Sequence, residues 1–147
     1  GDGYSTTSYT EYGAVNRLAK TNKLPVLTCP DKEHDLYTVD STKGNGALTN
    51  PIGLMTADEA AMAGMVNGYL NTLSYVYTGT WYWTMSPYYF SPSISASFVW
   101  SVFGTGYFGS YWVPGGIGVR PAINLKADTL VSGGIGTVNN PFTIKTT

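Results

Sequence analysis

The side chains of this chain that could do chemistry fall into two sets that do not overlap in sequence. Ionisable groups lie before residue 60 and resume at Arg120; between Ala60 and Val119 there is no Asp, Glu, Lys, Arg or His. The ionisable set offers no working constellation. His34 is the only histidine, and no serine beside it or elsewhere sits in a nucleophile-elbow pattern. Asp31, Asp35 and Asp40 are spaced by four and five, which does not match the ligand positions of an EF-hand loop, and they read as a solvated acidic turn. Asp58 and Glu59 follow Thr56 at capping-box spacing, so helix capping and the helix dipole account for them better than acid–base work. Gly115-Gly116-Ile117-Gly118 precedes an expected strand rather than a helix and cannot cradle a phosphate. Cys29, the only cysteine, can form neither an internal disulfide nor a C-x-x-C pair. It reads as a small buried hydrophobe, or else as the partner of a cysteine outside this chain. No catalytic residue, metal ligand or cofactor is expected.

The uncharged set is suited to contact. Residues 60–119 hold all four tryptophans, most of the tyrosines and much of the glycine and serine. Tyr and Trp give large contact area with few rotatable bonds, while Ser and Gly give adaptable hydrogen bonding, the mixture found in antibody paratopes. Ser91, Ser93, Ser95 and Ser97 alternate with Pro92, Ile94, Ala96 and Phe98; an extended backbone would put the four hydroxyls on one side. Aromatic pairs flank this run at Tyr88-Tyr89, Tyr107-Phe108 and Tyr111-Trp112. The expected contact residues are Tyr88, Tyr89, Ser91, Ser93, Ser95, Ser97, Phe103, Thr105, Tyr107, Ser110 and Tyr111, with Tyr82, Trp83, Phe98 and Trp100 assigned to the core.

The elements that must position these groups can be read more coarsely. At 147 residues the chain has room for one domain with a core. A charged fraction of 12% is about half the usual quarter, and a net charge of −1 sets up no field for nucleic acid or anionic membrane. No apolar run approaches the roughly 18 residues needed to cross a bilayer. The high Gly and Tyr content suits an all-β or loop-rich extracellular domain. Glu11–Lys20 is predicted as a short helix presenting Tyr12, Val15 and Leu18; extended pieces are predicted at 25–30, 36–39 and 48–55, with a turn at Lys43–Gly46. Thr56-Ala-Asp-Glu59 starts a second helix, expected to end at Asn67-Gly68. Strands are predicted at Tyr82–Met85, Ser97–Val102, Val119–Leu125 and Phe142–Lys145, with long loops over Ser86–Ser95 and Phe103–Gly118.

Ile52-Gly-Leu-Met-Thr-Ala-Asp-Glu59, Tyr77-Thr-Gly79, Tyr82-Trp-Thr-Met-Ser-Pro87, Val99-Trp100 and Gly118-Val-Arg-Pro-Ala-Ile-Asn-Leu125 resemble C-type-lectin-fold domains of the formylglycine-generating-enzyme branch. More narrowly, they resemble the variable proteins diversified by diversity-generating retroelements. The resemblance covers roughly residues 47–126; the tail is similar to the ends of bacterial surface modules. It implies an α+β, C-type lectin fold with small twisted antiparallel sheets, about two helices and long C-terminal loops carrying a ligand face. It also implies adenine-directed rewriting of asparagine codons, whose products exclude Lys, Glu, Gln, Met and Trp. Between Tyr88 and Ile117 there is no Lys, Glu, Gln, Met or Asn, as a fully diversified copy would leave it, with Trp100 and Trp112 as fixed positions. The calcium-binding Glu-Pro-Asn and Trp-Asn-Asp motifs and the paired cysteines of the formylglycine-generating enzymes are absent, so neither calcium, carbohydrate specificity nor oxidase activity is carried over. The expectation is one domain over residues 1–147 with a variable region at 75–117. Its function is non-enzymatic recognition of a protein or other macromolecular surface ligand at a cell or virion surface, without nucleic-acid binding or membrane insertion. A preceding segment or fusion partner outside this chain is expected. The alternatives are a filament or pilus subunit that packs through the aromatic segment, and an enzyme or calcium lectin of the same fold.

Overall fold

The computed structural model describes residues 7–20, 23–28, 38–42, 48–50, 52–137 and 139–145. Cys29, Asp31, His34, Asp35 and the Lys43–Gly46 turn lie outside the described residues, as does the first half of the 36–39 piece. The fold is α+β, with two short helices and small antiparallel sheets. The first helix, α1 (Gly13–Val15), continues as a π-helical turn over Asn16–Lys20; Ala14, Val15 and Leu18 enter the core. Tyr12 is half-buried and donates its backbone N–H to Tyr88 O at 3.1 Å.

The second helix, α2 (Ala57–Met62), begins with a complete capping box: Thr56 Oγ1 accepts from the Glu59 N–H at 3.1 Å while Glu59 Oε2 accepts from the Thr56 N–H at 2.7 Å. It stops earlier than the sequence suggested. Gly64 takes φ +93°, its N–H bonds to Ala61 O, and the Met65 N–H bonds to Ala60 O, a Schellman ending that turns Met65 into the core. Asp58, nearly inaccessible, has one oxygen 2.7 Å from Arg17 Nη2 and the other 3.1 Å from Arg17 Nε and 2.8 Å from the Val26 N–H, which ties α1, α2 and the 23–28 segment together.

Four strands form the main sheet in the order β1-β3-β4-β5: β1 (Thr10–Glu11), β3 (Tyr82–Ser91), β4 (Ala96–Val102) and β5 (Phe108–Trp112). Two smaller pairs join β2 (Gly53–Leu54) to β6 (Pro121–Ala122) and β7 (Val131–Gly133) to β8 (Thr143–Ile144). Two expectations are corrected here. The supposed loops Ser86–Ser95 and Phe103–Gly118 contain the second half of β3 and all of β5, and Val119–Leu125 contributes only the two residues of β6. Pro87 does not end β3, because it sits between register shifts on either side, where the missing N–H disturbs a ladder already interrupted.

Register decides which side chains share a face. Tyr82, Val102 and Phe108 lie in one row, and Trp100 and Ser110 share that side. Tyr82, Trp100, Val102 and Phe108 are buried there with Val15, Leu18, Ala57, Ala60, Met65 and Val76. Trp83, Ser101 and Gly109 form a row on the other side, with Val99 and Tyr111 next to it. The main sheet therefore has a core face and an outer face, and aromatic residues occupy both.

Candidate ligand-binding face

Five rings meet on the outer face. Trp81 lies 4.3 Å from Phe103 and 5.3 Å, edge-on, from Tyr111, centroid to centroid. Trp83 is 5.9 Å from Tyr111, and Phe103 is 5.2 Å from Tyr107 and 6.2 Å from Tyr111, both nearly perpendicular. Trp81 stands just before β3, Trp83 within it, Tyr111 on β5, and Phe103 and Tyr107 face each other at the base of the β4–β5 hairpin, where the Phe103 N–H bonds to Tyr107 O at 2.9 Å. Tilted and edge-on pairs at these separations are favourable by about 0.5–1.5 kcal/mol each beyond burial. The rings cover Ser101 and Gly109, which are inaccessible although they lie on the outer side.

Glycine makes this packing possible. A Cβ on Gly109 would stand 2.5 Å from Tyr107 Cε1; one on Gly115 would stand 2.2 Å from Tyr111 Cε1; one on Gly104 would stand 2.9 Å from both Trp81 Cδ1 and the Gly79 carbonyl. Tyr77 reinforces the hairpin by donating its hydroxyl to Gly104 O at 3.2 Å.

The face is half-buried and uncharged. Trp81 is 39% exposed, and Trp83, Phe103, Tyr107 and Tyr111 are intermediate. The phenols of Tyr107 and Tyr111 and the indole N–H groups of Trp81 and Trp83 hydrogen-bond to none of the described residues. The nearest basic group in sequence, Arg120, is committed elsewhere: Nη1 donates to Val76 O at 2.9 Å and to the Tyr82 hydroxyl at 3.4 Å, and the guanidinium lies over the Tyr82 ring. Burial pushes the Tyr82 phenol above its ordinary range, opposed by the Arg120 hydrogen bond and charge.

The sequence-predicted contact residues do not converge on one surface. Phe103, Tyr107 and Tyr111 join the outer face. Tyr88 and Tyr89 lean to the core side of the sheet: Tyr88 lies 4.6 Å from Trp100, and Tyr89 stacks on Phe98 at 4.3 Å with Tyr9 5.3 Å away. The register shift between Pro87 and Tyr89 makes Tyr88 an extra residue, which lets both rings turn the same way. Burial raises the Tyr88 phenol, with smaller upward contributions from Tyr107, Tyr9, Glu11 and Tyr89. The four serines do not form a one-sided row. Ser91 closes β3, Ser93 and Ser95 lie in the β3–β4 turn with Ser95 at φ +49°, and Ser97 is on β4, so the chain reverses within the alternation. Ser110 shares the Trp100 side, and Thr105 is exposed at the β4–β5 tip. The seven residues of β4 separate the two hairpin tips by roughly 20 Å.

Trp81 and Trp83 join this face although neither is among the sequence-predicted contact residues, and Trp83, expected in the core, is on the outer side. The signal was available in Trp81-Tyr82-Trp83: an inward Tyr82 requires its neighbours to face outward. Phe98, also expected in the core, is half-buried against Tyr89. Tyr82 and Trp100 are core residues as expected.

A second apolar surface lies on the chain between α2 and β3. Met62, Val66, Tyr69, Leu70, Leu73 and Tyr75 are exposed, Leu73 by 96%. They adjoin a shallow depression of about 340 Å³ lined by Gly64, Val66, Tyr69, Leu70 and Asn71. The Asn71 amide is already bonded to Gly64 O and to the Leu73 N–H, so this hollow presents few free polar groups. Among the described residues no group of three or more His, Cys, Asp or Glu side chains could hold a metal, and no helix is long and apolar enough to cross a membrane. Compared with protein families, curated proteins and solved structures, the chain matches none.

Proposed function

We propose that this chain is a non-enzymatic recognition module of C-type lectin fold, whose outer sheet face binds a protein or other macromolecular surface, and that the positions forming this face are diversified by a retroelement. The observation that carries the reading is the meeting of Phe103, Tyr107 and Tyr111 with Trp81 and Trp83 on one half-exposed face, inside a stretch without a charged residue. The tryptophans, whose codon adenine rewriting of asparagine codons does not produce, act as the fixed floor, and Phe103, Tyr107 and Tyr111 as changeable rings. Large rings with few torsions anchor an interface at low entropic cost, and the unpartnered phenol and indole groups supply its hydrogen bonds. Such a module works outside the cell, on a cell or virion surface.

Sequencing sibling copies of this gene tests the reading. Differences should concentrate between residues 75 and 117 and spare Trp81, Trp83 and Trp100, with a reverse transcriptase and a template repeat nearby; differences spread evenly along the chain would refute it.

The exposed Met62–Tyr75 surface favours a second reading, a filament or pilus subunit that buries this strip against a neighbouring copy, because a patch of this kind is commonly an interface. Mass in solution separates the two. A monomer across the micromolar range fits the recognition module, and concentration-dependent chains fit the subunit.

A further inference from the structure

We infer that Gly109 and Gly115 are specificity-determining positions: recognition by the outer face is written in ring–glycine pairs, Tyr107 with Gly109 and Tyr111 with Gly115, and not in the rings alone. This rests on the proposed recognition role of that face.

Neither glycine is required by its backbone angle, since neither occupies the left-handed region that Gly64, Gly68 and Gly106 adopt. What each provides is space. Tyr107 and Gly109 are two apart on one side of the β4–β5 hairpin, so the ring of the first lies along the chain over the second. A Cβ at 109 would meet that ring at 2.5 Å on Cε1 and 3.3 Å on Cζ, well inside contact distance. Gly115 follows the turn in which its N–H bonds to Trp112 O at 3.0 Å, and this folds it back on Tyr111; a Cβ there would meet Tyr111 Cε1 at 2.2 Å and Cζ at 3.0 Å, and Trp112 Nε1 at 2.9 Å. A glycine in a strand ordinarily weakens it, and a ring laid over the bare backbone offsets that loss. With glycine, the ring lies down and closes the face over Ser101; with any larger residue, the ring must rotate away and stand into solvent. The two codons of each pair thus choose between a flat anchor and a protruding one. The pose of Tyr111 carries further, because it meets Trp81 edge-on and Trp83 at a tilt.

Two measurements on the full chain test this. In the first, Gly109→Ala is made alone and on a Tyr107→Ala background. Alone, it should move the Tyr107 and Phe103 ring resonances and lower the melting temperature. On the Tyr107→Ala background the same change should leave the melting temperature equal or higher, since the three atoms nearest the added methyl all belong to the Tyr107 ring. Gly115→Ala with Tyr111→Ala should show a smaller reversal of the same sign, read at the Trp81 and Trp83 indole N–H resonances, because the exposed Trp112 ring, whose Nε1 would stand 2.9 Å from the added methyl, must shift in either background. Equal effects in both backgrounds would overturn the inference. In the second, residues 107, 109, 111 and 115 are randomised together and displayed, and binders are selected against a panel of folded proteins. Selected clones should pair an aromatic at 107 with Gly at 109, or neither, and likewise at 111 and 115. Binders in which the two positions vary independently overturn the pairing but leave the recognition role standing; a library that yields no binders overturns that role and the pairing with it.

Discussion

At the scale of single residues, two buried polar groups carry more of the fold than their number suggests. Asp58 is 4% exposed and satisfies Arg17 and the Val26 N–H at once. Asp58→Ala strands the guanidinium and frees three segments from one another, and is expected to cost about 3 kcal/mol, the lower end for breaking a buried pair because Arg17 is partly in water. A urea denaturation midpoint measures it. Tyr82 gives a pH dependence of known sign. Its phenol is raised mainly by burial, so the folded state holds the proton more tightly than the unfolded chain does. This contribution is complete below the ordinary tyrosine value of about 10 and is lost as pH rises from there through the folded pKa. Stability should therefore fall on the alkaline side in step with tyrosinate absorbance. Tyr82→Phe should flatten that fall without abolishing it, because Tyr88 is raised as well, and should cost about 1 kcal/mol at neutral pH through the lost bond to Val76 O.

Among the elements, α2 shows what the sequence made legible and what it hid. Its start was readable because Thr56 and Glu59 satisfy each other locally, with no help from the rest of the chain. Its end was misplaced by several residues, since Asn67-Gly68 and Gly64 are equally good stops by composition; burial of Met65 chooses Gly64. Gly64→Ala is expected to lower stability by about 1–2 kcal/mol through the φ of +93° alone, since the nearest atom to the added methyl, Asn71 Nδ2, is an ordinary 3.4 Å away. A thermal melt beside Gly116→Ala, where the methyl meets nothing and no positive φ is involved, isolates the backbone effect. Strand β5 was not legible. Phe108-Gly-Ser-Tyr-Trp112 carries glycine and serine where loops carry them, and it becomes a strand through contacts distant in sequence: pairing with β4, and a Tyr107 ring over Gly109. The serine alternation failed for the converse reason. Period two is the same on either side of a turn, so the alternation could not show that the chain reverses between Pro92 and Ser95, although Pro92 and the loop expected there marked the place. The aromatic residues were legible as a composition and their grouping on one face only partly, because the face on which Tyr88 and Tyr89 lie depends on a register shift at Pro87 that no local pattern encodes.

For the molecule as a whole, the five rings of the outer face come from a stretch of sequence that carries no charge. The ion pairs Arg17–Asp58 and Lys20–Glu11 belong to the N-terminal segment and α2, and the net charge of −1 leaves little field to steer a partner. Recognition by the five rings should then owe almost nothing to screening. Affinity for a selected protein ligand is expected to change by less than about threefold between low and physiological salt, where charge-steered pairs change far more. Trp81→Ala supplies the complementary measurement. Trp81 is the most exposed of the five rings and touches both Phe103 and Tyr111, so its removal deletes contact area and loosens the pose of two other anchors. A loss of about 2 kcal/mol in binding, roughly thirtyfold, is expected of a central aromatic hot spot. The two lost ring pairs, about 0.5–1.5 kcal/mol each, should lower the melting temperature by a few degrees, so binding is compared well below that transition, where both proteins are folded. A Trp81→Ala protein that binds as before, or a wild-type affinity that collapses with salt, would move recognition off the outer face and onto the charged residues before Ala60.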